Sequence, residues 1–255
     1  MKLQTQLVNR RSVLAGSLKI GLGAGLALPL AGQALAEETC VKKPGTPPAL
    51  EPERLLTDWA WLARYRDENA QLIASKTKVQ AVFLGDSITE GWKQKQPALF
   101  DKGNVCRGIS AQTTPQMLVR FFSDVVALKP RVVHIMGGTN DIAHNTGPMT
   151  ALDTQNNVMA MCEIAKAHKL HVVLGSVPPA SKYWWKPELQ PKPEALAMND
   201  WLRTYAKKIG AKYADYATAL SDAAGNVKLE LAKDEVHPTK EGYAVMRPIA
   251  RQAIG

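Results

Sequence analysis

Of its 255 residues the chain spends only three on cysteine, and Cys40, Cys106 and Cys162 form no CxxC pair. A zinc knuckle or thioredoxin-type redox centre is thereby excluded. One disulfide in an oxidising compartment and buried free thiols both stay open, because spacing cannot choose a pair. No HExxH and no GxxxxGK[ST] occurs, and the only Gly-x-Gly cluster, "GLGAG", falls in the N-terminal apolar stretch, so no metal or nucleotide cofactor is expected. Lys and Arg never run together with interleaved aromatics, which removes the usual footprint of nucleic-acid binding. Past residue 36 no apolar run approaches the ~20 residues needed to span a bilayer, so no stable membrane insertion of the mature chain is expected. No internal repeat suggests an array. What remains is enough apolar sequence, 45% of residues, for one globular α/β domain with a full core and a cleft. Oligomeric state is not legible.

Residues 1–36 combine a basic head containing Arg10-Arg11, a Gly-rich apolar middle and a small-residue end, Ala34-Leu35-Ala36. This pattern is that of an export signal cut before Glu37, which places the mature protein in the periplasm or outside the cell. The paired arginines and the weakly hydrophobic middle containing Lys19 resemble a twin-arginine signal; an ordinary secretory signal is the alternative. Cys40 follows Glu-Glu-Thr and not small residues, which argues against a lipid-anchored cysteine. The formal charge of +9 includes four signal cations, Lys2, Arg10, Arg11 and Lys19, and the remaining +5 is an ordinary solubility charge. Residues 37–53 read as a Pro-rich tether.

From residue 54 to 255 strand and helix signals alternate. "LLTDWAWLARYRDENAQLIAS" places Leu55, Trp59, Leu62 and Tyr65 at helical spacing and predicts one amphipathic helix. "VQAVFLG", "RVVHIMGG" and "LHVVLGSVP" predict strands buried on both faces, and "AKYADY" a shorter one. "TPQMLVRFFSDVVALKP" predicts a helix capped by Thr113 or Thr114 with Pro115 in its first turn and a stop at Lys129-Pro130. Further helices are predicted over "TALDTQNNVMAMCEIAKAHK", "EALAMNDWLRTYAKKIG" and "TKEGYAVMRPIARQAI". Strands joined by helices of this length require right-handed crossovers, hence a parallel sheet covered on both faces. In such sheets ligands sit beyond the carboxyl ends of the strands.

Four polar turns fall there: "GDSITEGW" (85–92), "CRGISAQTT" (106–114), "GGTNDIAHN" (137–145) and "DEVHPTKEGY" (234–243). Ser87 stands where a strand turns into a helix, so its hydroxyl is either a nucleophile or simply a helix cap. Among five histidines, His134 lies in a strand, His168 and His171 flank a helix-to-strand junction, and His144 follows the Asn-containing loop. His237 differs, lying in a loop with Asp234 three residues earlier, close enough in a turn for the carboxylate to orient the imidazole. Gly108 lacks a Cβ and lets its N–H approach a ligand closely. Asn140 offers an uncharged amide donor. Taken singly, a tight turn and a loop cap explain these last two. Asp86 and Asp141 are expected to brace their loops through backbone N–H groups.

In this order the four turns resemble the SGNH, or GDSL-type, hydrolase family, over the whole chain beyond residue 50. The name-giving motif has Leu where Ile88 stands, a conservative change. The resemblance implies a three-layer α/β/α sandwich around a central parallel sheet, flavodoxin-like in order. It implies a carboxylic ester hydrolase working without a cofactor, with Ser87, His237 and Asp234 as catalytic triad. The oxyanion donors would be the Ser87 and Gly108 N–H groups and the Asn140 side chain. No G-x-S-x-G occurs, so the nucleophile elbow of the other large serine-hydrolase fold is absent. "PPASKYWWKPELQPKP" (178–193) follows a strand end, and its Tyr183, Trp184 and Trp185 either stack on a sugar, line an acyl pocket, or pin the loop to the core. Export and the lack of a long apolar lid favour short acyl esters on a polar carrier such as an acetylated glycan. A lipid-directed acylhydrolase, lysophospholipase or thioesterase is the rival enzyme, and a non-catalytic glycan-binding protein the rival outside catalysis.

Overall fold

The computed structural model describes residues 51–255; the expected export signal, most of the expected tether and Cys40 lie outside the described residues. Among the described residues five short strands form one sheet: β1 (Ala81–Gly85), β2 (Asn104–Gly108), β3 (Val132–Met136), β4 (His171–Gly175) and β5 (Lys212–Ala214). Every pairing is parallel, and the order is β2-β1-β3-β4-β5. The chain therefore leaves β1 in one direction and returns to β3 on its other side, which makes the β1/β3 end the switch point where such sheets open a crevice.

Alternation along β1 divides the core. Val82 and Leu84 point to a layer containing α4 (Thr114–Val119), α5 (Phe121–Asp124), α7 (Ala151–Ala167) and α8 (Pro191–Ile209). Ala81 and Phe83 point the other way, to α3 (Ser87–Lys95), α9 (Tyr216–Leu220) and α10 (Lys240–Ile254). Strands buried on both faces must be apolar without a break, which is why "AVFLG" and "VVHIM" were legible. The remaining helices are α1 (Pro52–Thr57), α2 (Arg66–Ala74) and α6 (Thr139–Ile142). Among the described residues no helix is long and apolar enough to cross a membrane.

Three expectations need correction. The single helix expected after residue 54 is two, α1 and α2, because the Asp58 carboxylate accepts the N–H groups of Leu62 (2.8 Å) and Ala63 (3.0 Å) and Trp61 turns left-handed at φ 51°. Trp59 and Leu62 are consequently exposed, and of the expected stripe only Tyr65 is buried. The helix expected from Thr113 to Pro130 breaks at Arg120, whose guanidinium turns inward; α4 and α5 flank the break, and a 3-10 turn (Val126–Leu128) ends at left-handed Lys129. Finally, β2 carries Asn, Cys and Arg in five residues and gave no strand signal of its own. Cys106 and Cys162 are both buried free thiols, and burial pushes them up to about 11 and about 12, the condition of inert packing residues.

Candidate active site

Gly85 ends β1 in a place that admits no side chain: a Cβ there would lie 2.1 Å from Thr89 Oγ1 and 2.6 Å from the Met136 carbonyl oxygen. The chain then turns at once into α3. Asp86 is the N-cap, its Oδ1 accepting the Ile88 N–H at 2.9 Å. Asp86 thus braces the turn through a backbone N–H, as expected, and also takes the cap role that Ser87 could have filled, which leaves the Ser87 hydroxyl out of the cap. The Ser87 N–H, like any at a helix start, has no acceptor inside the helix. The Asp86 carboxyl is pushed up to about 6, chiefly by burial and further by nearby Asp141, against the pull of the Ile88 N–H and His237.

The Ser87 hydroxyl meets His237 Nε2 at 2.9 Å across 150 residues of sequence. His237 Nδ1 lies 2.7 Å from Asp234 Oδ2, while Asp234 Oδ1 accepts the N–H groups of His237 (2.7 Å) and Val236 (3.1 Å). One carboxylate therefore folds the turn and holds the ring. Because a carboxylate only accepts, Nδ1 carries the proton and Nε2 presents its lone pair to Ser87. Burial alone would raise the Asp234 carboxyl, but the N–H groups and ring of His237 outweigh it and hold it below the usual carboxylate range. Thr239 caps α10 through the Gly242 N–H (3.2 Å), and Lys95 of α3 donates to the Pro238 carbonyl (3.1 Å), tying this turn to the one that carries Ser87.

Gly108 and Asn140 both abut Asp86. A Cβ on Gly108 would come within 2.2 Å of the Glu90 nitrogen and 2.8 Å of the Asp86 carbonyl oxygen, so only glycine lets the end of β2 pack on the first turn of α3. Ile109 supplies the ladder N–H to the Gly85 carbonyl (3.1 Å). The Gly108 N–H is left facing the Cys106 sulfur, a weak acceptor. Asn140, on α6 after β3, donates from Nδ2 to the Gln112 carbonyl (3.0 Å), with Asp86 Oδ2 a longer 3.4 Å away. Asp141 braces the loop as expected: it accepts the Thr114 N–H (3.1 Å) and hydroxyl.

The three aromatics separate. Tyr183 is 1% exposed and belongs to the core; Trp185 is half-buried with its Nε1 donating to Asn145 Oδ1 (3.0 Å); Trp184 is 60% exposed, set edge-on against Trp185. Pinning describes the first two, and only Trp184 leaves a ring face open. His134 is buried in β3 with Nε2 on the Tyr216 hydroxyl (2.8 Å), and burial lowers it to about 3. It is a neutral core histidine.

Sequence reasoning missed the scaffold beneath these groups. Arg120 is fully buried and donates to the carbonyls of Gly85 (2.9 Å) and Arg107 (2.8 Å), to Gln112 Oε1 (2.6 Å) and to Asp124 (3.0 Å). It thereby fastens the ends of β1 and β2 together. Glu90 accepts the Ser110 N–H (2.9 Å) and hydroxyl (2.5 Å), holding the loop after Gly108 onto α3. An Arg in an apparently amphipathic helix carries no signal of turning inward, but Glu90 inside "GDSITEGW" lies within the motif.

A parallel α/β/α sandwich with a serine, a histidine and an aspartate in line at its switch point has the build of a serine hydrolase. Residues 83–245 match the model of the GDSL-like lipase/acylhydrolase family, and the chain belongs to that family. It is a carboxylic ester hydrolase. The structure of a GDSL-like lipase from Bacteroides thetaiotaomicron is 39% identical, with a TM-score of 0.73 over 76% of this chain and 97% of that one. A candidate acylhydrolase from Bacteroides fragilis is 40% identical, with a TM-score of 0.73 over 77% and 97%. An acetylxylan esterase from Geobacillus stearothermophilus shares the fold at 19% identity, with a TM-score of 0.57 over 69% and 94%. No curated protein matches the chain by sequence.

Proposed function

We propose that this protein is an exported serine esterase that removes short acyl groups, acetyl above all, from a carbohydrate or similarly polar carrier, and that residues 54–255 form its catalytic domain. The observation that carries the reading is the 2.9 Å contact from Ser87 Oγ to a histidine whose far nitrogen is 2.7 Å from a carboxylate. Ser87 Oγ attacks the ester carbonyl as its proton passes to His237 Nε2, and the carbonyl oxygen becomes an oxyanion. The Ser87 and Gly108 N–H groups and the Asn140 amide donate to that oxygen; the partners they would leave, a sulfur and a 3.4 Å carboxylate contact, are weak. The tetrahedral intermediate expels the carrier alcohol, which takes the proton from His237. Water then attacks the acyl-enzyme with His237 again as base, and releases the acid and free Ser87.

The carrier is read from Trp184, whose exposed indole, next to the Trp185 that bonds Asn145, suits a sugar ring. Export rests on residues 1–36, and N-terminal sequencing of the mature protein would locate the cut, expected before Glu37. The test of the chemistry is labelling of the mature protein by a fluorophosphonate ester, with the modified peptide mapped by mass spectrometry. Label on Ser87 that is lost in His237→Ala supports the mechanism; no label on folded protein refutes it. Higher kcat/KM on long-chain than on acetyl esters would move the assignment to a lipid-directed acylhydrolase or thioesterase.

A further inference from the structure

Asn140 can serve an oxyanion only if its amide points the right way, because turning it over presents a carbonyl oxygen to negative charge. The two ends of an amide have nearly the same shape, so packing cannot choose between them; hydrogen bonds must. Here they do so in series. The indole N–H of Trp185, which can only donate, points at Asn145 Oδ1 (3.0 Å). That commits the Asn145 amino group to the other side, where Nδ2 donates to Asn140 Oδ1 at 2.6 Å. Asn140 Nδ2 in turn donates to the Gln112 carbonyl (3.0 Å), which can only accept. A donor-only group at one end and an acceptor-only group at the other leave one consistent orientation for both amides.

The same loop also touches the other half of the site. Lys182 pairs with Glu235 at 2.8 Å, next to Asp234. The Lys182 end of that pair is exposed and the pair contributes little, whereas the Trp185 bond is half-buried and directional. The segment beside exposed Trp184 is therefore wired to the Asn140 amide through one side chain.

We propose that Asn145, set by the Trp185 indole N–H, is a positioning residue that fixes the amide orientation of Asn140. The inference rests on the reading of Ser87 and Asn140 given above. Asn145→Asp is the sharp probe: nearly the same shape, but its carboxylate cannot donate and meets Asn140 Oδ1 oxygen to oxygen, which drives that amide to turn over. Kinetics would be measured on the purified mature protein with p-nitrophenyl acetate, beside Trp185→Phe, Asn140→Ala and Ser87→Ala, with thermal unfolding of each.

Asn145→Asp is expected to lower kcat by about 100-fold, the size of losing one oxyanion donor, with KM nearly unchanged. Trp185→Phe, which keeps a ring in place, should lower kcat in the same direction by a smaller factor. The deciding measurement is the double variant. If Asn145 acts through Asn140, then Asn145→Asp costs nothing further in the Asn140→Ala background. Equal losses in both backgrounds, or Asn145→Asp with wild-type kcat, overturn the proposal. Ser87→Ala with wild-type activity would instead overturn the reading of the site on which it rests.

Discussion

Replacing Gly108 by Ala adds one methyl group at the tightest backbone contact of the site. The new Cβ would stand 2.2 Å from the Glu90 nitrogen, 2.7 Å from the Thr89 carbonyl carbon and 2.8 Å from the Asp86 carbonyl oxygen. All three are backbone atoms of the first turn of α3 or its cap, so no side chain can swing aside. Restoring ordinary contact requires β2 and α3 to part by about 1 Å, and overpacking of this kind costs roughly 1–3 kcal/mol. The same shift moves Ser87 against His237, and a misplacement of about 1 Å lowers turnover by roughly 100-fold. Gly210→Ala is the matched control, since Gly210 closes α8 at φ 71° with nothing within 4 Å. It should lose about 1 kcal/mol to backbone strain alone and keep its kcat. Urea unfolding and p-nitrophenyl acetate hydrolysis would be measured on both. Gly108→Ala with kcat and stability within error of the wild type would refute the packing argument.

Asp234→Asn should preserve the turn, since the amide oxygen still accepts from Val236 and His237, while its amino group forces the His237 proton onto Nε2; kcat should fall by about 10⁴-fold with unfolding little changed at pH 7. Arg120→Leu leaves the Asp124 carboxylate buried and short of a charge partner, and should cost about 3–5 kcal/mol in urea unfolding; a cost under 1 kcal/mol would show the network to be dispensable. Asp86 is an acid raised from 3.8 to about 6 on folding, so ionising it works against the native state: the penalty begins above the unfolded value and is complete above pH 6. That interval corresponds to about 3 kcal/mol. Asp86→Asn keeps an oxygen for the Ile88 N–H, and should be more stable than the wild type at pH 8 but not at pH 3; lower stability at pH 8 would contradict the sign.

What the sequence made legible was local in its physics. Ser87, Gly108, Asn140, Asp234 and His237 stand out in four short turns and take their roles from the resemblance to the hydrolase family, and the strands follow from unbroken apolar runs. The illegible parts are those where a distant partner overrides the local pattern. Helical spacing around Trp59 and Leu62 gave way because Asp58 took the backbone donors and because Gln112 and Gln116 claim the carbonyls of Ala60 (2.8 Å) and Trp59 (2.6 Å). The stretch from Thr113 to Pro130 has helical periodicity throughout, yet it breaks at the residue whose charge is needed under β1. Tyr183 and Trp184 are neighbours of equal aromatic character, and only the fold makes one core and the other surface.

The same partners explain why so much charge is buried under this site. A parallel sheet ends each strand with a carbonyl that the next strand does not always satisfy, and a cleft at the switch point removes the water that would otherwise do so. Arg120 supplies donors to the last carbonyl of β1, that of Gly85, and to the next-to-last of β2, that of Arg107, and Asp124 and Asn69 complete its surroundings. Tyr65 does the same for the Gly108 carbonyl (2.5 Å). A guanidinium fixes the separation of those two strand ends to within a bond length, which apolar filling would not, and that separation sets where Gly108 stands relative to Ser87. The buried cation is thus better understood as a spacer for the reacting geometry than as a source of stability, since apolar packing of equal volume is often at least as stable.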